Sequence, residues 1–501
     1  MTSASTPGQE PADRLGSWGA TGVLAGLALV VGALDLGGHS LTLDESVSTT
    51  MGTAPWREFT DSVVHREANM ALYSLLLRGW AALGHSEVAL RSLSVVAAVG
   101  TVVVVTRLAQ GLFGSRAGLL AGVLLAVDPL FVRYGQTARG YELSILLTAG
   151  STALFVRGVR SGGRGVWVAY ALVTAAGAYT NFWAALIPLA QAASLVALPT
   201  GEVPWGRLLP AWAGLAVLLV PLALLIHAED SAGTDWAAGS AAGRVLTRLR
   251  GSVPRGLLDL AVLAVVVVLV VAALVLRRRV PPGTLARHWP LLLALAWLVV
   301  PLAGLVLLSV AYKPLLVLRY LVVCLPAAFL LLGLALDRLA RAPLVAVGGV
   351  LVLASVAGVW QWDARGQSED WRGAAALVAS EAGPGDGIVV YAPYTRMPFQ
   401  WYAADHPGLI RDTTPVFPAG SWATGALGFD TYIPVDGPAL VARTRGLTRI
   451  WVVLSHVQGS GPQEVALLGA LTQAGYTPTG RQGLAGVTVL QYGPGPTAVV
   501  P

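Results

Sequence analysis

The sequence predicts a mainly α, polytopic membrane helix bundle of about eleven spans, closed by a C-terminal α/β domain. Two observations predict the bundle. The chain is 55% hydrophobic and 12% charged over 501 residues, where ordinary globular chains carry roughly 25% charged residues. The apolar residues also fall in long blocks: 261–276 contains only Val, Leu and Ala, and 291–310 is another long run. Blocks of about 20 such residues cross a bilayer as helices, because a helix satisfies its own backbone groups. A third observation predicts the domain. Beyond residue 360 the hydrophobic runs become short and are broken by Gly, Pro and Asp.

Taken in order, residues 1–14 are polar and read as a disordered cytoplasmic N-terminus. Spans follow near 15–34, 87–109, 116–134, 141–158, 165–180, 182–199, 207–227, 256–276, 290–311, 315–336 and 342–360. The first apolar stretch is too long for a signal-peptide core and no small-residue cleavage site follows it, so it is expected to be a retained span. Arginine then sets the orientation. Arg107 and Arg116 flank one short loop, and Arg157, Arg160 and Arg164 crowd the next. Arg207 marks another, Arg277, Arg278, Arg279 and Arg287 another, and Arg338 and Arg341 the last. With the N-terminus inside, each falls on the cytoplasmic face, as the positive-inside rule requires. The segments 35–86, 136–141, 227–255 and 312–314 then lie outside, with everything after Trp360.

Residues 15–360 are thus expected to form the membrane module and 361–501 the extracytoplasmic domain. In the latter, 371–381 reads as an amphipathic helix and 463–474 as a second. The segments 387–391, 449–454 and 487–492 read as strands. Asp386, between Gly385 and Gly387, reads as a turn residue.

Composition excludes several classes. The lone cysteine, Cys324, lies in an apolar span, so no intrachain disulfide framework or cysteine metal cluster is available. The net charge of +6 is almost wholly arginine, with Lys313 the only lysine. In a membrane protein that balance reflects cytoplasmic loops and gives no reason to expect nucleic-acid binding.

Chemistry-bearing residues gather on the expected outer side. Asp44 and Glu45 stand just beyond the first span, in Leu41-Thr42-Leu43-Asp44-Glu45-Ser46. A carboxylate there is held by a rigid element yet meets water. His65, Arg66, Glu67 and Asn69 lead into the apolar, helically spaced 72–77, which fits a segment lying along the membrane surface. The short turn 133–143 carries Arg133, Tyr134, Gln136, Arg139, Tyr141 and Glu142. Such a turn at the hydrocarbon edge is costly unless its groups find partners; phosphate recognition and interfacial anchoring both supply them. Arg319-Tyr320, after Tyr312-Lys313-Pro314, places a cation about one turn inside an apolar span, where it pairs with an anion or snorkels outward.

In this order, these segments resemble the GT-C superfamily of membrane glycosyltransferases, and within it the protein O-mannosyltransferase-like group, glycosyltransferase family 39, in its bacterial, actinobacterial-type form. Asp44-Glu45 matches the acidic motif of the first outer loop. His65 to Leu77, with Asn69 and Tyr73, resembles the "His…Asn-Pro…Tyr" segment. Residues 134–143 resemble the "Ser-Gln-Glu-Ala-Arg-x-Tyr" turn, and Arg319-Tyr320 the "Pro-Arg-Tyr" start of a late span. Residues 369–375 look like the start of the tail domain in bacterial members. Three positions depart from the pattern: Thr137 stands for the usual glutamate, and Met70 and Leu318 for prolines.

The resemblance implies a GT-C fold and transfer of a sugar, mannose-like, from a polyprenyl-phosphate donor to a hydroxyl of a protein, lipid or glycan acceptor outside the plasma membrane. It implies Asp44 as general base, with inversion at the anomeric carbon. Arg139 and Arg319 would steady the departing phosphate, with Tyr141, Gln136, His65, Asn69, Tyr320 and Lys313 around donor and acceptor. Glu45 would orient the acceptor or hold a divalent cation loosely. No cluster has metal-ligand spacing, so no tightly held metal is expected. Two other classes compete. A transporter or flippase would show repeated halves or membrane-embedded acids. A non-catalytic scaffold with an outer binding domain would have no need of Asp44.

Overall fold

The computed structural model describes residues 10–65, 67–228, 282–311, 315–364, 369–422, 434–456 and 461–495. The span expected over 256–276 and the turn 312–314, with Lys313, lie outside the described residues. The chain falls into two compact units. One holds residues 1–34, 63–75 and 91–362; the other holds 35–62, 76–90 and 363–501. The second unit therefore joins the tail with two stretches that precede residue 91.

In chain order, α1 (Glu10–Ala33) is followed by three short helices, α2 (Leu43–Thr53), α3 (Trp56–His65) and α4 (Ala71–Trp80). Next come α5 (Glu87–Phe113), α6 (Ser115–Val127), α7 (Pro129–Gly135), α8 (Tyr141–Ser161), α9 (Arg164–Thr180), α10 (Ile187–Ser194) and α11 (Trp205–Ala228). Then come α12 (Pro282–Arg287), α13 (Trp289–Ala311), a 3-10 segment Leu318–Cys324, α14 (Leu325–Asp337) and α15 (Arg341–Ala364).

Among the described residues six helical stretches are long and apolar enough to cross a membrane, or seven if α6 and α7 count as one bent span. Of the about eleven spans expected, that over 256–276 lies outside the described residues, the first is described as the shorter apolar stretch Trp18–Ala33, and two more fall short for local reasons. α9 is only 17 residues long. The span expected over 182–199 is broken into a 3-10 turn, the eight-residue α10 and a second 3-10 turn. Pro188 cannot donate into a continuous ladder. The 62° bend between α6 and α7 has a similar cause. Asp128 caps the Phe131 amide at 2.9 Å, and Pro129 opens α7 where a missing N–H costs least.

Packing within this unit relies on small and polar residues, as expected where lipid removes the hydrophobic drive between helices. A Cβ at Gly333 of α14 would lie 2.5 Å from the Ala117 carbonyl and 2.8 Å from the Ala121 Cβ of α6. Polar contacts tie α8, α9 and α10. Ser151 and Thr174 hydroxyls meet at 2.7 Å, and the Gln191 amide donates to Ser151 and Thr152 at 3.2 Å. The Tyr170 hydroxyl donates to Gln191 Oε1 at 2.7 Å.

The second unit contains the expected α/β fold. Its sheet runs β2 (Thr413–Phe417), β1 (Asp386–Tyr391), β3 (Ile450–Ser455), β5 (Val487–Pro494) and β4 (Tyr476–Leu484). β1 is parallel to β2 and β3, while β5 is antiparallel to β3 and β4. Helices α16 (Trp371–Glu381), α17 (Arg396–Ala403), α18 (Pro407–Asp412), α19 (Gly437–Arg443) and α20 (Pro462–Gln473) complete it. Every residue of β3 is buried, as a central strand covered on both faces requires. One face packs Trp371, Val378, Phe399 and Trp451; the other packs Val416, Leu440, Leu467 and Tyr492. Leu41, from the stretch before α2, is fully buried in the first of these clusters.

Asp386 is not the turn residue its Gly-Asp-Gly setting suggests. It opens β1 at 1% exposure, pairs with Arg449 at 3.0 Å and accepts from Trp451 Nε1 at 3.0 Å. The interior charge is therefore matched, as burial demands. Arg396, also fully buried, donates to the carbonyls of Pro418 and Ser421 at 2.7 and 2.9 Å, and burial pulls its guanidinium down to about 10.

Candidate active site

The acidic pair stands on the first turn of α2. Thr42 is its N-cap and Glu45 its third helical position, and together they close a capping box. Glu45 Oε2 accepts from the Thr42 amide at 2.9 Å and from its hydroxyl at 3.2 Å, while Thr42 Oγ1 accepts from the Glu45 amide at 3.3 Å. Glu45 is 2% exposed and turned back on the cap; Asp44 is half-buried. The two carboxylates therefore have different work. Successive helical positions diverge by about 100°, so neighbours do not share a face. A cation held by both would have to pull Glu45 off its cap. The residues do not fit a two-carboxylate metal site. Among the described residues, no group of three His, Cys, Asp or Glu side chains is placed to hold a metal.

The stretch leading into α2 is anchored by the tail. Glu369 Oε2 accepts from the Leu43 amide and from Trp371 Nε1, each at 2.8 Å. Its backbone carbonyl accepts from the Ser40 hydroxyl at 2.8 Å. The Leu41 amide donates to the Tyr402 hydroxyl at 2.6 Å, which in turn donates to Glu87 at 2.8 Å. Burial and the neighbouring Glu87 carboxylate push the Tyr402 phenol well up, so it keeps the proton that it donates.

The other expected residues lie in the first unit. Arg139, 7% exposed, sits in the turn between α7 and α8 and pairs with Glu67 at 3.4 Å. A carboxylate is thus among its partners. Tyr141 is buried, with its ring 4.8 Å from that of Tyr134. Gln136 donates to the Leu34 carbonyl at 2.7 Å, fastening the turn to the end of α1. Asn69 accepts from the Phe182 amide at 3.1 Å. His65 is exposed at the end of α3. Arg319 is half-buried in a 3-10 segment, with its guanidinium 6.0 Å from the Tyr320 ring; that ring lies 5.3 Å from Trp183. An apolar cavity of about 190 Å³ follows, lined by Leu130, Leu298, Leu302, Leu321, Cys324 and Ala328 among others.

Sequence reasoning passed over Arg91. It is 4% exposed on α5, one turn before Ser94. Ser94 itself bonds the Tyr73 hydroxyl at 2.9 Å and the Thr137 carbonyl at 2.7 Å. An arginine so early in a long apolar helix was a readable signal, by the cost argument that picked out Arg319. Glu142, fully buried on α8, accepts from Thr101 at 2.9 Å.

Comparison with known proteins gives a family match over part of the chain and a likeness in fold. Residues 71–227 match the family model for dolichyl-phosphate-mannose-protein mannosyltransferase. The fold is similar to that of ArnT from Cupriavidus metallidurans, in a structure with bound undecaprenyl phosphate. That likeness has 16% identity and a TM-score of 0.57, covering 94% of this chain and 97% of that one. The Archaeoglobus fulgidus oligosaccharyltransferase, in a structure with zinc and sulfate, matches with 12% identity and a TM-score of 0.51 over 94% of this chain and 72% of that one. No curated protein matched the chain. The likeness in fold extends over nearly the whole chain, and within it the family match runs from α4 to α11: the fold is shared with ArnT and the oligosaccharyltransferase, and residues 71–227 are similar to the protein mannosyltransferases.

Proposed function

We propose that the protein transfers a sugar, mannose-like, from a polyprenyl-phosphate donor to an acceptor hydroxyl on the extracytoplasmic side of the plasma membrane, with inversion. The observation that carries the reading is the division of labour on α2. Glu45 is buried and closes the capping box, whereas Asp44 stands half-buried beside it on the same first turn, where an acceptor hydroxyl can approach. An Asp44 oxygen takes the acceptor proton as the acceptor oxygen attacks the anomeric carbon. The bond from that carbon to the phosphate oxygen breaks, and the phosphate leaves with the electron pair. Arg139 and Arg319 offset its charge. A positioned base gives roughly 10²–10⁴-fold.

Several features support a lipid-linked donor. The apolar cavity beside Leu321 and Cys324 suits an isoprenoid chain, and a related fold binds undecaprenyl phosphate. The arginine-marked loops support the outward placement of the acidic loop and the tail. The acceptor is a protein, lipid or glycan hydroxyl. The test is product analysis after membranes containing the protein are incubated with radiolabelled polyprenyl-phosphate mannose. Label should enter a product other than the lipid, and Asp44→Asn should lower that transfer by about two orders of magnitude or more. Label that stays on the lipid, with each of several sugars, would overturn the reading.

A further inference from the structure

We propose that the tail domain is a working part of the transferase, with Glu369 as a positioning residue that fixes the first turn of α2 and so sets the direction in which Asp44 meets the acceptor. This rests on Asp44 being the base.

The geometry begins with a redundancy. α2 already caps itself through Thr42 and Glu45. A self-capped helix of 11 residues has no local need for a further carboxylate, yet one arrives from 326 residues away. Glu369 accepts from the Leu43 amide, one of the first-turn donors that a helix leaves unmet. A carboxylate on such an amide makes a charge-assisted bond, and its charge also suits the positive end of the helix. The capping box fixes the helix internally; the Glu369 bond fixes it against the domain that carries Glu369.

The rest of the approach is held in the same way. Between Gly37 and Leu43 the tail reaches the chain repeatedly: Arg372 donates to the Gly37 carbonyl at 3.1 Å, Glu369 takes the Ser40 hydroxyl, and Tyr402 takes the Leu41 amide. Leu41 is sealed in the tail's own core, and Met397 packs on Leu43 and Val47 on either side of the acidic pair. Asp44 is the residue after the last tether. Glu369 is itself held by Trp371 at 2.8 Å and by His456 at 3.5 Å, at 14% side-chain exposure. Its carboxylate thus has little freedom to shift. A side chain on a fixed turn keeps its proton-accepting oxygen in place without reorganisation at each turnover, and a misplacement of about 1 Å can cost on the order of 100-fold.

The test uses the full-length protein in membranes, with radiolabelled polyprenyl-phosphate mannose as the probe. Glu369→Ala should lower kcat by about 10–100-fold and leave the donor KM within about twofold, because donor binding is untouched. Glu369→Gln keeps an acceptor oxygen for the Leu43 amide and should recover transfer to within about threefold of wild type. In an Asp44→Asn background Glu369→Ala should cost less than about twofold more, since a residue that acts through Asp44 has nothing left to position. Amide hydrogen exchange should quicken at residues 41–46 and stay slow in β3. If Glu369→Ala does not accumulate, Tyr402→Phe, which removes the acceptor of the Leu41 amide, takes its place in the same cycle. Unchanged turnover in Glu369→Ala, no recovery in Glu369→Gln, or an equal further loss in the Asp44→Asn background overturns the proposal. Full activity in Asp44→Asn alone would instead overturn the base assignment on which it stands.

Discussion

Asp44→Asn exchanges one oxygen for an amide nitrogen at the second position of α2. Size is kept, and so is hydrogen-bonding capacity; the basic lone pair is lost. The structural cost is small. A negative charge near a helix N-terminus is worth about 0.3–1 kcal/mol, and α2 keeps its capping box and its Glu369 bond without it. The catalytic cost is larger: a lost general base lowers transfer by about 10²–10⁴-fold, or about 3–5 kcal/mol of barrier. The gap separates chemistry from stability. Glu45→Gln is the matched control. Glutamine also serves at the third position of a capping box, so the helix start survives, and transfer should fall by less than about 10-fold. Initial rates in membranes, with protein level measured by immunoblot and donor saturating, give both numbers. Turnover of Asp44→Asn within about threefold of wild type would refute the mechanism. An equal and large loss in both variants would refute the separation of roles between the two acids.

Further outcomes follow from other parts of the molecule. Arg139→Lys and Arg319→Lys should lose donor affinity nearly as fully as the alanine variants, because a guanidinium grips phosphate with two parallel donors and an ammonium does not; unchanged donor binding in both alanine variants would refute the assignment. A cysteine at Gly461 in a Cys324→Ser background should react with an impermeant thiol reagent on intact cells, and labelling only after lysis would reverse the orientation. Gly333→Val should cost about 1–3 kcal/mol, since its Cβ would enter the space of the Ala117 carbonyl at 2.5 Å. A thermal midpoint in detergent equal to wild type would contradict that close approach.

What was legible in the sequence was what needed no distant partner. The membrane class, the central strands and the acidic pair follow from apolar runs and from charges beside them. Arg139 and Arg319 stood out because a cation near hydrocarbon needs an explanation, and Arg91 passed unnoticed although the same reasoning reaches it. Thr42-x-x-Glu45 is a readable capping box, which the pattern of two adjacent acids masks. β2 contains Pro415, and β4 is mostly polar or Gly, so neither carries the signature of a strand. Asp386 looked like a turn because its partners, Arg449 and Trp451, lie more than 60 residues on. Glu369 and Tyr402 could not be read at all as neighbours of α2: a hydrogen bond between residues 326 or 361 apart leaves no mark on local pattern.

Met70 has a backbone φ of +70° and is 2% exposed. Proline, whose ring holds φ near −65°, cannot follow that path. The methionine that stands where the resembled segment has proline is therefore not interchangeable with proline on this backbone. Grafting a proline-bearing loop here would bring in an incompatible bend unless the whole step from Asn69 to Ala71 is replaced with its surroundings. A single exchange back to proline here would be a folding lesion before it could report on specificity. Glycine, indifferent to the sign of φ, is the replacement that would let this corner be altered while its course is preserved.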